Sequence, residues 1–376
     1  LCVTTGTSVQ STHGTHGRTQ RGEFACKEKL EGTFDMDSLR DWPRPVQRPR
    51  RLRRTDVIRR LVRETRLTPD RLVLPQFVVG GENVAEPIDA MPGRMRLSID
   101  RTIAECKEAL SLGVGAFALF PAIDPALKTN DGREALNPDN LLCQTVRGIK
   151  ETCPQACVIT DIALDPYSSV GHDGIVSEAG VVLNDETVDV LAQMAVVHAE
   201  AGADIVAPSD MMDGRVGAMR YALDEAGHTE TAILSYTAKY ASSFYGPFRE
   251  ALESAPVDAP NVPRDKKTYQ MDPANAREAI VEAMLDEAEG ADMMMVKPGL
   301  PYLDIIARLK EVTQLPIAAY HVSGEYAMIK AAARNGWLDE RACMTESLTA
   351  IARAGADVIF TYAALDYAKW WRESVR

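Results

Sequence analysis

A chain of 376 residues with 45% hydrophobic content supports one large core or two modest ones. None of its apolar runs approaches the ~18–20 residues that span a bilayer, so no membrane-spanning helix is expected. The net charge of −12 is uneven: residues 40–66 hold eleven arginines against Asp41, Asp56 and Glu64, a local +8 that leaves −20 for the remainder.

In chain order, residues 1–22 carry eight Ser/Thr, two Arg and no acid, a composition like the end of a chloroplast-type transit peptide. Residues 1–39 are therefore expected to be a disordered leader or transit-peptide remnant. The basic stretch that follows is a candidate nucleic-acid contact. However, Trp42 is its one aromatic residue, and the acidic body would repel phosphate. An arm over 40–70, lying on an acidic neighbouring subunit, fits both charges better, and no nucleic-acid partner is expected. The seven cysteines are spread thinly. Cys153 and Cys157 form a C-x3-C pair with no second pair and no nearby histidine, which reads as reduced thiols rather than zinc ligands.

From about residue 71 to 376 the chain alternates regularly. Short apolar runs fall at 72–79, 116–120, 156–164, 204–208, 232–237, 291–296, 316–320 and 357–362. Apolar residues follow one another there without period-2 alternation, as in strands buried on both faces. Between them lie helix-like segments such as 101–112 and 275–289, apolar every three to four residues. A partial repeat joins the two patterns: "AEAGADIVAP" (199–208), "EAEGADMMMV" (287–296) and "ARAGADVIFT" (352–361), with "LGVGAFALF" (112–120) a looser copy. Glycine just past a helix supplies the left-handed stop that such a loop needs. Eight strand–helix units predict a (β/α)8 TIM barrel with an extended N-terminal arm. An open doubly wound sheet is the alternative, but no G-x-G-x-x-G follows the first strand.

In such a barrel, chemistry collects at the C-terminal strand ends. Those ends offer Asp161 and Asp165 (third strand), Ser209 and Asp210 (fourth), Lys239 (fifth), Lys297 (sixth), Tyr320 and Ser323 (seventh) and Tyr362 (eighth). Two lysines on neighbouring strands, both set in apolar and aromatic sequence, point to one pocket. An unperturbed lysine has a pKa of about 10.4, so little of it is neutral at pH 7. Burial and a second ammonium both lower that value, and a neutral amine condenses with a ketone to a Schiff base. No organic cofactor is needed for such chemistry. The loop "DIALDPYSSVGHDG" (161–174) adds Asp173 and His172, either an oxygen-rich divalent-metal site or a polar active-site loop. The long connection 242–277 carries five prolines and is expected to serve as a lid, with Arg249, Lys266 and Lys267 placed to hold a carboxylate.

With both lysines placed, the chain closely resembles the 5-aminolevulinate dehydratase (porphobilinogen synthase) family. The resemblance rests on "PSDMMDGRVGAMR" (208–220), "SYTAKYASSFYGPFREA" (235–251), "KKTYQMDPAN" (266–275), "MVKPGLPYLDI" (295–305) and "YHVSGEYAMIKAA" (320–332), in order through nearly all of 50–376. It implies an enzyme that condenses two molecules of 5-aminolevulinate to porphobilinogen with loss of two waters, in heme and chlorophyll (tetrapyrrole) biosynthesis. It further implies that Lys297 and Lys239 each hold one substrate as a Schiff base. Arg249 and Lys266 would bind the second substrate's carboxylate, although the family often has arginine at the latter position. Ser323 and Tyr362 would bind the carboxylate of the first. Tyr245, Gln270 and Tyr320 would line the pocket, while Asp161 and Ser209 orient an amino group.

The resemblance also bears on metals and assembly. Zinc-dependent members carry three cysteines in the third-strand loop, where this chain has Ala163, Asp165 and Asp173, so no zinc thiolate site is expected. The loop looks like the Mg-responsive branch of plants, algae and many bacteria, although Val170 departs from the usual Asp or His. That branch implies an allosteric Mg2+ near Glu250, reached through water; a separate active-site metal on Asp165 and Asp173 of the loop itself stays open. It implies a homo-octamer with a possible hexamer, and a plastid location with the cytoplasm as the alternative. Two rivals remain open at the level of sequence: a class I aldolase, which needs one such lysine, and a barrel kept for assembly, which needs none.

Overall fold

The computed structural model describes residues 47–252 and 254–375. The expected leader over 1–39, the first part of the arm (40–46), Cys2 and Cys26 lie outside the described residues. Ahead of the barrel unit, which begins at Glu64, a short 3-10 helix (Pro49–Arg53) is followed by the helix Asp56–Leu61. Thr55 caps that helix by accepting from the Ile58 N–H, and Asp56 pairs with Arg59 and Arg60 across one turn.

The barrel strands are β1 (Leu72–Val78), β2 (Ala116–Pro121), β3 (Cys157–Ile162), β4 (Ile205–Pro208), β5 (Ala232–Lys239), β6 (Met293–Lys297), β7 (Ile317–His321) and β8 (Val358–Thr361). Each pairs in parallel with the next. The sheet closes where β8 returns to β1, at Leu72↔Ile359 and Val73↔Phe360. This is the (β/α)8 barrel expected from the alternation, and closure leaves its eight strands with no free edge. A small antiparallel pair, Ala85–Pro87 with Met95–Leu97, is attached beside the end of β1. Three-residue strands that are mostly exposed leave no periodic trace in a sequence, and this pair was not expected. Among the described residues, no helix is long and apolar enough to cross a membrane.

The repeat seen in the sequence has a physical cause. Gly202, Gly290 and Gly355 each end a helix with positive φ, as the stop requires. The aspartate two residues later then accepts a backbone N–H from the start of the preceding strand: Asp204 from Val158, Asp292 from Ile233 and Asp357 from Ile317, at 2.7, 2.8 and 3.0 Å. Each unit is thus stapled to its neighbour at the end of the barrel opposite the site.

The expected third strand, 156–164, runs two residues beyond the observed β3. The Leu164 N–H donates to the Asp173 carbonyl instead of to a neighbouring strand, which turns the chain into the acidic loop. Part of the long connection after β5 is helical: Ser243–Tyr245 forms one 3-10 turn and Gly246–Leu252 a short helix.

Candidate active site

Lys239 and Lys297 end β5 and β6 as register partners, so the two amines enter the barrel mouth side by side. The register of β5 shifts between Ser235 and Ala238. An extra residue of this kind reverses the facing that follows it, which lets Tyr236 and Lys239, three apart in sequence, both reach the pocket. The Lys297 Nζ sits among four aromatic rings, 4.6 Å from the centroid of Tyr320, 5.0 Å from Tyr236 and Phe248, and 5.4 Å from Tyr245. The side chain is 5% exposed. Burial first, and the Lys239 ammonium second, push its pKa from 10.5 to about 7.

The other half of the pocket is ionic. Lys239 Nζ donates to the Ser209 carbonyl and lies 3.2 Å from Asp173 Oδ1. Lys266 reaches in from the long connection to 2.9 Å from Asp173 Oδ2 and 3.4 Å from Asp165 Oδ2. Burial works against the Lys266 charge, but Asp165 and Asp173 outweigh it and raise its pKa. Burial likewise opposes ionisation of Asp173, yet Lys239 and Lys266 hold its carboxyl well below the usual range. Asp161 differs. Burial first and Asp165 second push it up to about 7, and its Oδ1 is buried without a hydrogen-bond partner among the described residues.

The remaining expected contacts gather around this core. Asp161, Asp165, Asp173, Ser209, Tyr245, Arg249, Lys266 and Gln270 line one pocket with the two lysines. Tyr245 Oη donates to the Lys297 carbonyl at 3.1 Å, and the Tyr320 and Tyr362 hydroxyls lie 3.0 Å apart. Ser323 Oγ accepts from the Phe248 N–H at 3.0 Å. Three residues singled out in the sequence stand apart. Lys267 is exposed and pairs with Asp265. Asp210 is turned away toward the buried Arg215. Both nitrogens of His172 are engaged, Nδ1 with Tyr269 Oη at 3.0 Å and Nε2 with the Pro263 carbonyl at 2.8 Å, so it pins the long connection and offers no lone pair to a metal.

The acidic pair does not form a metal site. Asp173 is already shared by Lys239, Lys266 and the Tyr269 hydroxyl (2.8 Å), and Asp165 by Lys266. Two ammonium groups hold these carboxylates, and the arrangement does not fit a divalent cation. Among the described residues, no group of three or more His, Cys, Asp or Glu is placed to hold a metal. Glu250 has an exposed side chain, while its carbonyl accepts from Arg96 Nη2 at 2.7 Å.

Sequence reasoning missed Phe248, Tyr236 and Tyr269 as parts of the site. Phe248 and Tyr269 belong to the connection, where no period marks an inward face. Tyr236 is hidden by the register shift, since strict alternation places it opposite Lys239.

A family model described as Delta-aminolevulinic acid dehydratase matches residues 46–370. The chain belongs to the delta-aminolevulinic acid dehydratase family. It is 54% identical over 327 residues to the chloroplastic delta-aminolevulinic acid dehydratase of Chlamydomonas reinhardtii, covering 86% of this chain and 84% of that protein. The delta-aminolevulinic acid dehydratase of Bradyrhizobium diazoefficiens is also 54% identical, over 84% of this chain and 88% of its own. The crystal structure of the Toxoplasma gondii enzyme, delta-aminolevulinic acid dehydratase (porphobilinogen synthase) in complex with the reaction product porphobilinogen, superposes with a TM-score of 0.85 at 52% identity. It covers 88% of this chain and 92% of that one. The enzyme class of this dehydratase is therefore that of the family, and the family's match spans the barrel with every pocket residue described above.

Proposed function

We propose that this dehydratase condenses two molecules of 5-aminolevulinate to porphobilinogen through Schiff bases on Lys297 and Lys239. The observation that carries the reading is the paired amines on β5 and β6, one of them desolvated to a pKa of about 7. At that value about half of Lys297 is free amine at neutral pH, where an unperturbed lysine offers well under 1%. The neutral Nζ attacks the ketone carbon of one substrate, the carbinolamine loses water, and the imine forms as an electron sink. Lys239 does the same for the second molecule after parting from Asp173. One C–C and one C–N bond then join the two substrates, both lysines are released, and two waters leave overall.

The surrounding groups take matching roles. Arg249 and Lys266 lie on the connection that borders Lys239, and they bind the second substrate's carboxylate. Lys266 exchanges its aspartate partners for that carboxylate. Ser323 and Tyr362 take the carboxylate of the first, on the Lys297 side that Tyr320 also lines. Tyr245 and Gln270 line the pocket between them. Asp161, poised near neutral pKa beside Ser209, orients the second substrate's amino group and is placed to take up a proton from it.

The regulatory and cellular parts of the reading follow the family branch. Glu250, whose side chain faces solvent, would hold the Mg2+ that stimulates the enzyme, and no pocket residue is assigned to a metal. The chain assembles as a homo-octamer, with a hexamer as the smaller alternative, using the basic residues over 40–70 as an arm. It works in a plastid, supported by the chloroplastic relatives and the composition of residues 1–22.

Borohydride trapping with 5-aminolevulinate, followed by peptide mass mapping, tests the chemistry. Adduct is expected on the peptide holding Lys297 and is lost in Lys297→Ala. Folded protein that gives no adduct on either lysine would overturn the reading. Glu250→Ala is expected to abolish Mg2+ stimulation and shift the octamer; full stimulation in that variant would remove Glu250 from the regulatory site.

A further inference from the structure

One buried acid near the pocket is not used by the chemistry above. Glu325 is fully buried at the third position of the helix Ser323–Arg334. Its carboxylate accepts three backbone N–H groups from two different loops. Oε1 accepts from Leu300 at 2.6 Å; Oε2 accepts from Val322 at 2.7 Å and from Gly299 at 3.3 Å. The Val322 bond is one half of an ordinary capping box. The other two are not local: they hold the turn that begins two residues after Lys297.

The neighbouring residues extend the connection. Ser323 Oγ accepts from the Phe248 N–H and donates to the Phe244 carbonyl, so the same helix start holds the segment whose Tyr245 and Phe248 rings cover the Lys297 amine. Gly324 makes that approach possible, because a Cβ there would sit 2.5 Å from the Phe244 carbonyl oxygen. Gly299 is equally confined, since its Cβ would meet Ile351 at 2.8 Å and the Tyr320 carbonyl at 3.2 Å. One helical turn thus links the strand end bearing the amine, the strand end bearing Tyr320 and the cover over both.

We propose that Glu325 is a positioning residue which fixes the distance between the Lys297 amine and the carboxylate-binding end of its substrate site at Ser323. The inference rests on the Schiff-base reading above. A ketone that also carries a carboxylate gains from being held at both ends only while that distance is correct. A ketone without the carboxylate gains nothing from it. A buried carboxylate with three N–H donors does not tolerate an amide in its place, because one oxygen becomes an N–H2 facing a donor.

The test compares borohydride trapping of two ketones, levulinate and 2-pentanone, which share the reacting carbonyl and differ in the carboxylate. In the full-length wild-type protein, levulinate is expected to label Lys297 much faster. In Glu325→Gln, the levulinate rate is expected to fall on the order of 10-fold or more, because small misplacements are costly to proximity effects. The 2-pentanone rate is expected to stay within about 2-fold, so the ratio between them collapses. If Glu325→Gln folds poorly, Gly299→Ala displaces the same turn while leaving the acid itself unsubstituted and should give the same collapse. An unchanged ratio in a folded variant, with only a lower melting temperature, would overturn the positioning role. Wild-type protein that traps neither ketone on Lys297 would instead overturn the Schiff-base reading.

Discussion

Lys297 and Lys239 face one another across a single rung of the barrel, yet their amines are held by different physics. Lys297 is surrounded by aromatic rings and has no carboxylate within salt-bridge distance among the described residues, so burial and a like charge drive it toward the neutral form. Lys239 lies against Asp173 and a backbone carbonyl, an arrangement that satisfies an ammonium. The difference teaches that two lysines of one motif need not be prepared alike. The one in the aromatic cage is ready to attack in the free enzyme. The one in the ionic cluster must first exchange its partners, which an incoming carboxylate and ketone can bring about.

The sharpest way to break this comparison is to remove the caged amine. Lys297→Met is expected to lower turnover on the order of 10^4-fold or more, as for loss of a nucleophile. Its stability should move the other way. A lysine whose folded pKa lies near 7 and whose unfolded pKa is about 10.5 carries fewer protons folded than unfolded between those values, so its cost to folding is greatest below pH 7 and is relieved as pH rises toward 10.5. At pH 8 about 1.4 kcal/mol per unit over the remaining gap gives up to about 3.5 kcal/mol of stabilisation, readable by urea denaturation. A destabilised Lys297→Met at pH 8 would remove the desolvated amine from the account.

The ionic side should respond in the opposite sense. Asp173→Asn leaves Lys239 and Lys266 buried beside a neutral amide, and about 3 kcal/mol of stability should be lost with a fall in turnover on the order of 10^2-fold. Equal stability of the variant and the parent at pH 7 would mean that the cluster is less strongly coupled than its distances imply.

Phe248→Ala opens one wall of the cage, along with the ring's packing on Phe77 and Phe120. Water reaching Lys297 should move the midpoint of its trapping pH profile upward by about one unit, ~1.4 kcal/mol. In the parent enzyme the Lys297 rate should fall about tenfold per pH unit below 7. The smallest effect belongs to Tyr362→Phe, which removes one hydroxyl from the Tyr320 pair and should cost about 1 kcal/mol in stability, with a raised KM as the kinetic sign.

Much of this comparison is legible in the sequence. The barrel can be read because its strands are buried on both faces and its αβ loops need glycine, so composition and position carry the same message. Lys297 stands out for the same reason, a cation at the end of "ADMMMV". The surroundings that make it differ from Lys239 are not legible. The cage draws on β5, β7 and the long connection, and a register shift hides Tyr236. Glu325 carries the pattern of an ordinary capping residue, and only the folded chain brings Gly299 and Leu300 to its carboxylate. A histidine among aspartates invites a metal-ligand reading of His172, but its two nitrogens hold the connection in place.

That attachment has a consequence for how the chain can diverge. A Cβ on Gly171 would collide with the Ala255 carbonyl, and His172 grips Pro263 and Tyr269. Two stretches far apart in the gene product are thereby bound to a common fate. An insertion or a bulkier residue in one is viable only with a matching concession in the other, so the acidic loop and the connection opposite it should be inherited, exchanged and engineered as a pair.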